Sequence, residues 1–271
     1  MAELPVAPDL TFERAVLGGV PALRSASPDA RADAALLYLH GGGYVLGSAQ
    51  ASRGLAGELA RATGVTGYAI DYRLAPEHPC PAAIEDAVAA YRALLDRGFA
   101  SGRIAVAGDS AGGGLTIATL AAIGQAGLPQ PAAALAISPW ADLACAGASI
   151  TAKAADDPVL TAAGLRDCAA LYLGGIDPAD PAASPVRAGL SGLAPLLVQV
   201  GSAEILLDDA VALARAVGMA GTPVRLEVWP GMIHVWHASA FSLAAGRRAI
   251  ADAGWFLHER LEPHTRIGIS T

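Results

Sequence analysis

The chain has 271 residues, 54% of them hydrophobic and only 16% charged, which suits one large α/β domain or two small ones with a sizeable core. Its net charge of -7, with no basic run, sets nucleic acid aside as a partner. No apolar run free of Gly, Pro and charge reaches transmembrane length, and Met-Ala-Glu-Leu-Pro at the start has neither the basic nor the apolar part of a signal peptide. Cys80, Cys145 and Cys168 lie far apart without metal-ligand spacing. Their odd number fits a reducing compartment, so a cytoplasmic protein with three unpaired thiols, no metal site and no membrane span is expected.

Residues 1–10 are Pro-rich and read as irregular. Residues 11–17 and 20–25 flank Gly18-Gly19, a hairpin signal. The apolar run 34–39 reads as a buried strand and ends in His40-Gly41-Gly42-Gly43-Tyr44. A helix is predicted over 52–63, a strand over 65–71, then a proline-rich loop through Pro79 and a helix over 81–97 stopped by Gly98. The strand 104–107 leads into Gly108-Asp109-Ser110-Ala111-Gly112 and then into an apolar helix over 115–123. Another strand spans 133–138. Residues 141–190, broken by four prolines around one helix at 161–173, read as an insertion over the sheet. Alternation resumes with strand 196–200, helix 206–220, strand 224–229, a loop carrying His234 and a last helix over 239–261. Short apolar strands alternating with helices call for a mostly parallel sheet covered on both faces.

The pentapeptide G-x-S-x-G is a weak signal in a chain with 31 glycines. Its setting is stronger, because strand, sharp turn and helix with serine at the apex is what a nucleophile elbow requires. A serine hydroxyl needs a base to take its proton, a carboxylate to hold that base, and donors for the developing oxyanion. Ser110, the segment Ser202-Ala203-Glu204, His234 and the glycines after His40 each follow the carboxyl end of a predicted strand. They therefore share one edge of the sheet, where active groups of parallel α/β folds collect. The glycine run admits a substrate oxygen close to backbone N–H groups, and no phosphate-loop pattern surrounds it. His40 ends a strand directly and suits a structural hydrogen bond better than a second base. His237, one turn beyond His234, is a lesser candidate for the base. Glu77 and His78 are read as ties for the proline-rich loop, and Glu85-Asp86 as compensation of a helix dipole. Trp140 and Trp236 are candidates for either the pocket or the core.

His40-Gly-Gly-Gly43, Asp71-Tyr-Arg-Leu-Ala-Pro-Glu-His-Pro79 and Gly108-Asp-Ser-Ala-Gly-Gly113 together resemble the hormone-sensitive-lipase-like family of α/β-hydrolase carboxylesterases. The likeness runs from about residue 11 to the C-terminal helix. It implies an α/β-hydrolase fold with about eight strands, a lid, no cofactor, Ser110 as nucleophile and His234 as base. It also implies an oxyanion hole from the amides of Gly42, Gly43 and Ala111, and dimerisation through the last strand, residues 224–229. Two departures stand out. Where many members carry Asp-Pro-Leu-Arg-Asp-Glu, this chain has Glu204-Ile-Leu-Leu-Asp-Asp209, which aligns Glu204 with the acid and leaves Asp208 as the alternative. Members also carry lid helices ahead of the first hairpin, whereas here only 1–10 and 141–190 are at hand, so one domain over 1–271 with a small, truncated lid is expected. The resemblance implies hydrolysis of short- to medium-chain carboxylic esters. An amidase, lactonase or carbamate hydrolase would use the same groups. A non-catalytic receptor on this scaffold would lack the base, which His234 supplies.

Overall fold

Eight strands, the central ones dominated by Ala, Val, Leu and Ile, form a single sheet in the computed structural model, which describes residues 6–262. The strands are β1 (Thr11–Leu17), β2 (Val20–Ala26), β3 (Arg31–Leu39), β4 (Val65–Ile70), β5 (Ile104–Asp109), β6 (Ala133–Ile137), β7 (Leu196–Gly201) and β8 (Val224–Trp229), in the order β1-β2-β4-β3-β5-β6-β7-β8. The β1–β2 hairpin is antiparallel, as is β2 against β4; every other neighbour is parallel. Long helices connect the parallel strands: α1 (Arg53–Thr63), α2 (Ala82–Asp96) and α3 (Ala111–Gln125), then, after two helices of the insertion, α6 (Leu207–Met219); α7 (Ala244–Leu261) follows the last strand. This is the mostly parallel, doubly covered sheet that the alternation of elements requires.

Period-2 alternation splits each central strand between two cores. On β3, Leu36 and Tyr38 pack with α1 and α7, while Ala35, Leu37 and Leu39 pack with α2 and α3. Because both faces are covered, these strands are continuously apolar rather than alternating with polar residues.

The residues 141–190 carry more structure than the one predicted helix. They form α4 (Ser149–Ala152), α5 (Ala162–Leu173) and a 3-10 turn at Pro185–Arg187. Thr161 caps α5, its side chain accepting the Gly164 N–H. The last helix begins at Ala244, five residues later than expected. Val235 stands in the left-handed region at φ +50° and Trp236 and His237 are buried, so the chain makes a 3-10 turn over Trp236–Ser239 before a helix can start. Of residues 1–10, expected to belong to a lid, positions 1–5 lie outside the described residues.

Candidate active site

Ser110 joins β5 to α3 at φ +55° and ψ -121°, a region that costs a non-glycine residue about 1–3 kcal/mol. The turn is possible because its flanks are bare. A Cβ on Gly108 would collide with the Gly112 carbonyl, and one on Gly112 with the carbonyl oxygens of Leu39 and His40. The turn brings the serine to the start of a helix whose first amide, that of Ala111, has no acceptor within the helix.

From the loop after β8, His234 reaches back so that its Nε2 lies 2.9 Å from Ser110 Oγ, and its Nδ1 lies 2.9 Å from Glu204 Oε2. All three residues are buried. A carboxylate only accepts, so Nδ1 carries the proton, and Nε2 of the neutral ring faces the serine as acceptor. Glu204, fully buried in the loop after β7, is held at its other oxygen. Oε1 accepts from the Ser138 hydroxyl at 2.7 Å and from the Gly201 N–H at 2.6 Å. Asp208 goes elsewhere. Its Oδ2 accepts the Ser149 N–H at 2.8 Å while its own N–H donates to Ser149 Oγ at 3.0 Å, which ties the first turn of α6 to α4.

The loop after β3 brings Gly42 and Gly43 to the same place. Gly42 has φ +123°, a conformation open to glycine, and Gly43 has φ +63°. The loop is anchored on both sides. Gly41 N–H donates to Asp109 Oδ1 at 3.0 Å, and that oxygen also accepts the Tyr38 hydroxyl at 2.5 Å. His40 stacks on Tyr72 with centroids 4.2 Å apart, its Nδ1 lies 2.7 Å from the Gly41 carbonyl, and Tyr72 Oη donates to the His40 carbonyl at 2.7 Å. Burial lowers the pKa of His40 and raises that of Asp109. His40 is thus built into the wall as an anchor.

Ser110, His234, Gly42 and Gly43 border one cleft of about 390 Å³, whose apolar surface includes Leu46, Trp140, Leu160, Leu165 and Cys168. A hollow of about 640 Å³ beside the β1–β2 hairpin is larger but borders neither Ser110 nor His234. Among the other candidates, Trp140 lines the cleft, whereas Trp236 packs between Trp229 and His237. His237 is no substitute base. It is buried, its Nε2 lies 2.9 Å from Gln199 Oε1, and burial, helped by nearby His234, brings its pKa down to about 3. Glu77 and His78 are exposed, and the proline-rich loop is tied by Arg73 instead, which bonds Asp86 at 2.9 Å and Glu85 at 2.9 Å. Sequence reasoning missed Tyr38, Asp109 and Ser138. Each is a polar group inside or ending an apolar strand run, which is the signal that could have marked them.

Fold and geometry together define an α/β hydrolase. A family model described as the alpha/beta hydrolase fold matches residues 36–238. An acetyl-hydrolase of Streptomyces hygroscopicus is 55% identical over 235 residues, covering 87% of this chain and 78% of the relative. The crystal structure of an esterase from the bacterial hormone-sensitive lipase family superposes with a TM-score of 0.94 at 49% identity, over 96% of this chain and 87% of that one. So does the esterase EstE5 soaked with p-nitrophenyl butyrate, at 0.94 and 46% identity over 96% and 88%. The chain belongs to the α/β-hydrolase family, among the hormone-sensitive-lipase-like esterases, and is a carboxylic ester hydrolase. Among the described residues no helix is long and apolar enough to cross a membrane, and no cluster of three or more His, Cys, Asp or Glu could hold a metal ion.

Proposed function

We propose that the ester is cleaved through an acyl-enzyme on Ser110. The observation that carries this reading is the hydrogen-bonded chain from Ser110 Oγ through His234 to Glu204, 2.9 Å at each link. His234 Nε2 takes the serine proton as Oγ attacks the ester carbonyl. Glu204 faces the imidazolium that forms, and the oxyanion rests on the amides of Gly42, Gly43 and Ala111. The alcohol leaves with the proton from Nε2. Water then enters, is deprotonated by the same nitrogen, and releases the acid. Short acyl esters are the substrates we infer, from a cleft of about 390 Å³ and from relatives named acetyl-hydrolase and ethyl acetate hydrolase.

The test is hydrolysis of p-nitrophenyl acetate and butyrate. Ser110→Ala is expected to lower kcat by about 10⁴-fold or more with the fold intact, and a serine-directed organophosphate to block the wild type. Glu204→Ala is expected to lower kcat strongly, while Asp208→Ala, which cuts the tie to Ser149, lowers Tm and spares kcat. Persistent activity in Ser110→Ala, or the reverse pattern at the two acids, would overturn the assignment.

We further read the chain as one α/β domain in which 141–190 forms the lid wall of the cleft. The three unpaired cysteines support a cytoplasmic location. Strand β8 has one free edge and exposes Val228, which supports a homodimer formed edge to edge there. Val228→Lys should shift such a dimer to monomer in sedimentation equilibrium.

A further inference from the structure

We propose that Ser138 is a positioning residue for the acid, locking the carboxylate of Glu204 to the loop that carries His234. Ser138 directly follows β6 and is fully buried. Its hydroxyl donates to Glu204 Oε1 at 2.7 Å and accepts the Val235 N–H at 3.2 Å. Its own N–H donates to the Gln199 carbonyl on β7 at 2.7 Å, so its backbone is fixed to the strand that bears the acid. One oxygen thus joins the carboxyl ends of three neighbouring strands: β6 through its own backbone, β7 through Glu204, and β8 through the residue after His234.

Only a hydroxyl can do both jobs. It offers a proton to a carboxylate and a lone pair to an amide, whereas Ala and Gly offer neither. The backbone here points the same way. Ser138 sits at φ +45°, where glycine would be at ease and a side chain is not. A serine therefore stands at a position whose backbone geometry favours glycine. What the hydroxyl does follows from the carboxylate's two oxygens. With Oε1 fixed by Ser138 and by Gly201 N–H, Oε2 stays directed at His234 Nδ1 when positive charge develops on the ring. Without the hydroxyl, the carboxylate keeps one donor on Oε1 and is held less firmly about its last torsion, and the Val235 N–H beside the base loses its acceptor.

This inference rests on the reading of Glu204 as the acid, so the experiment separates the two. Ser138→Gly removes the hydroxyl and relieves the backbone. It is expected to lower kcat on p-nitrophenyl butyrate by roughly ten- to a hundredfold, the worth of one hydrogen bond to a charged group, with KM changed by no more than about twofold. The downfield proton resonance of the His234 Nδ1–H should shift in the same variant. In a Glu204→Ala background, Ser138→Gly should cost no more than about twofold, because the group it acts through is gone. Wild-type kcat and an unmoved resonance in Ser138→Gly, with Glu204→Ala still impaired, would overturn the role of Ser138 alone. Unimpaired Glu204→Ala would remove the acid assignment, and this inference with it.

Discussion

A single carboxylate oxygen, Asp109 Oδ1, takes the Tyr38 hydroxyl at 2.5 Å and the Gly41 N–H at 3.0 Å. Burial works against the charge on Asp109, and the Tyr38 hydrogen bond is the largest influence opposing it. Replacing Tyr38 by Phe removes that donor and leaves a half-buried carboxylate with one partner fewer. The expected loss is roughly 1–3 kcal/mol, read as a lower Tm. Because the same oxygen positions Gly41, one residue ahead of the amides that we assign to the oxyanion hole, kcat should fall several-fold while the organophosphate still reacts with Ser110. An unchanged Tm would show that the hydroxyl is not needed to keep Asp109 in place. At this scale the sequence spoke unevenly. Ser110 and His234 stand out as candidates because each follows a strand end with a chemical reason to be there, whereas Glu204 is set ahead of Asp208 only by the family resemblance. Tyr38 and Ser138 do not stand out, because a buried hydroxyl in an apolar run reads as packing until its partner, far off in the chain, is known.

The elements themselves were almost all legible, since strands this apolar between glycine and proline loops allow few other readings. What sequence alone could not give was how the insertion attaches to the sheet, because that depends on side chains meeting across unrelated segments. The N-terminal turn of α6 shows the point. From sequence Asp208 is the alternative acid and Asp209 has no assigned role, yet both are spoken for: Asp208 by Ser149, and Asp209 by the N–H groups of Ala141 and Asp142, at 2.9 and 2.8 Å on one oxygen. Asp209 is buried, and that burial pushes its carboxyl up to about 7, against the pull of those two amides. The sign for stability follows. A carboxyl whose folded value lies above its ordinary 3.8 binds more protons folded than unfolded, so its contribution is fully present below 3.8 and is lost as pH rises to about 7. Asp209→Asn keeps an acceptor for both amides and removes the titration. Its Tm relative to wild type should therefore rise between about pH 4 and about pH 8. A constant difference across that range would place the titration elsewhere.

Across the whole molecule, the insertion 141–190 and the loop that carries Glu204 are one connected structure. Asp157, in the insertion, uses Oδ1 to accept the N–H groups of Val159 and Leu160, at 2.9 and 3.0 Å, which shapes the wall that ends in Leu160. Its other oxygen accepts the N–H of Ile205 at 3.0 Å, the residue directly after Glu204. Ser149 adds a second tie, its hydroxyl donating to the Ile205 carbonyl at 2.7 Å. The wall that would touch an acyl chain, Val159, Leu160 and Leu165, is thus referenced to the loop that carries the acid. Asp157→Ala cuts the first tie and leaves the Ile205 N–H without its acceptor, for a loss of roughly 1–3 kcal/mol in stability. It should also change selectivity, because a loosened wall holds the two extra methylenes of a butyryl group less well than before. With about 0.8 kcal/mol at stake per buried methylene, kcat/KM for p-nitrophenyl butyrate should drop relative to the acetate by up to roughly tenfold. Ser149 still holds Ile205, so the acetate rate should change much less. A lower Tm with an unchanged butyrate-to-acetate ratio would mean that the acyl chain does not lie against this wall, and that the cleft is entered from the Leu46 side instead.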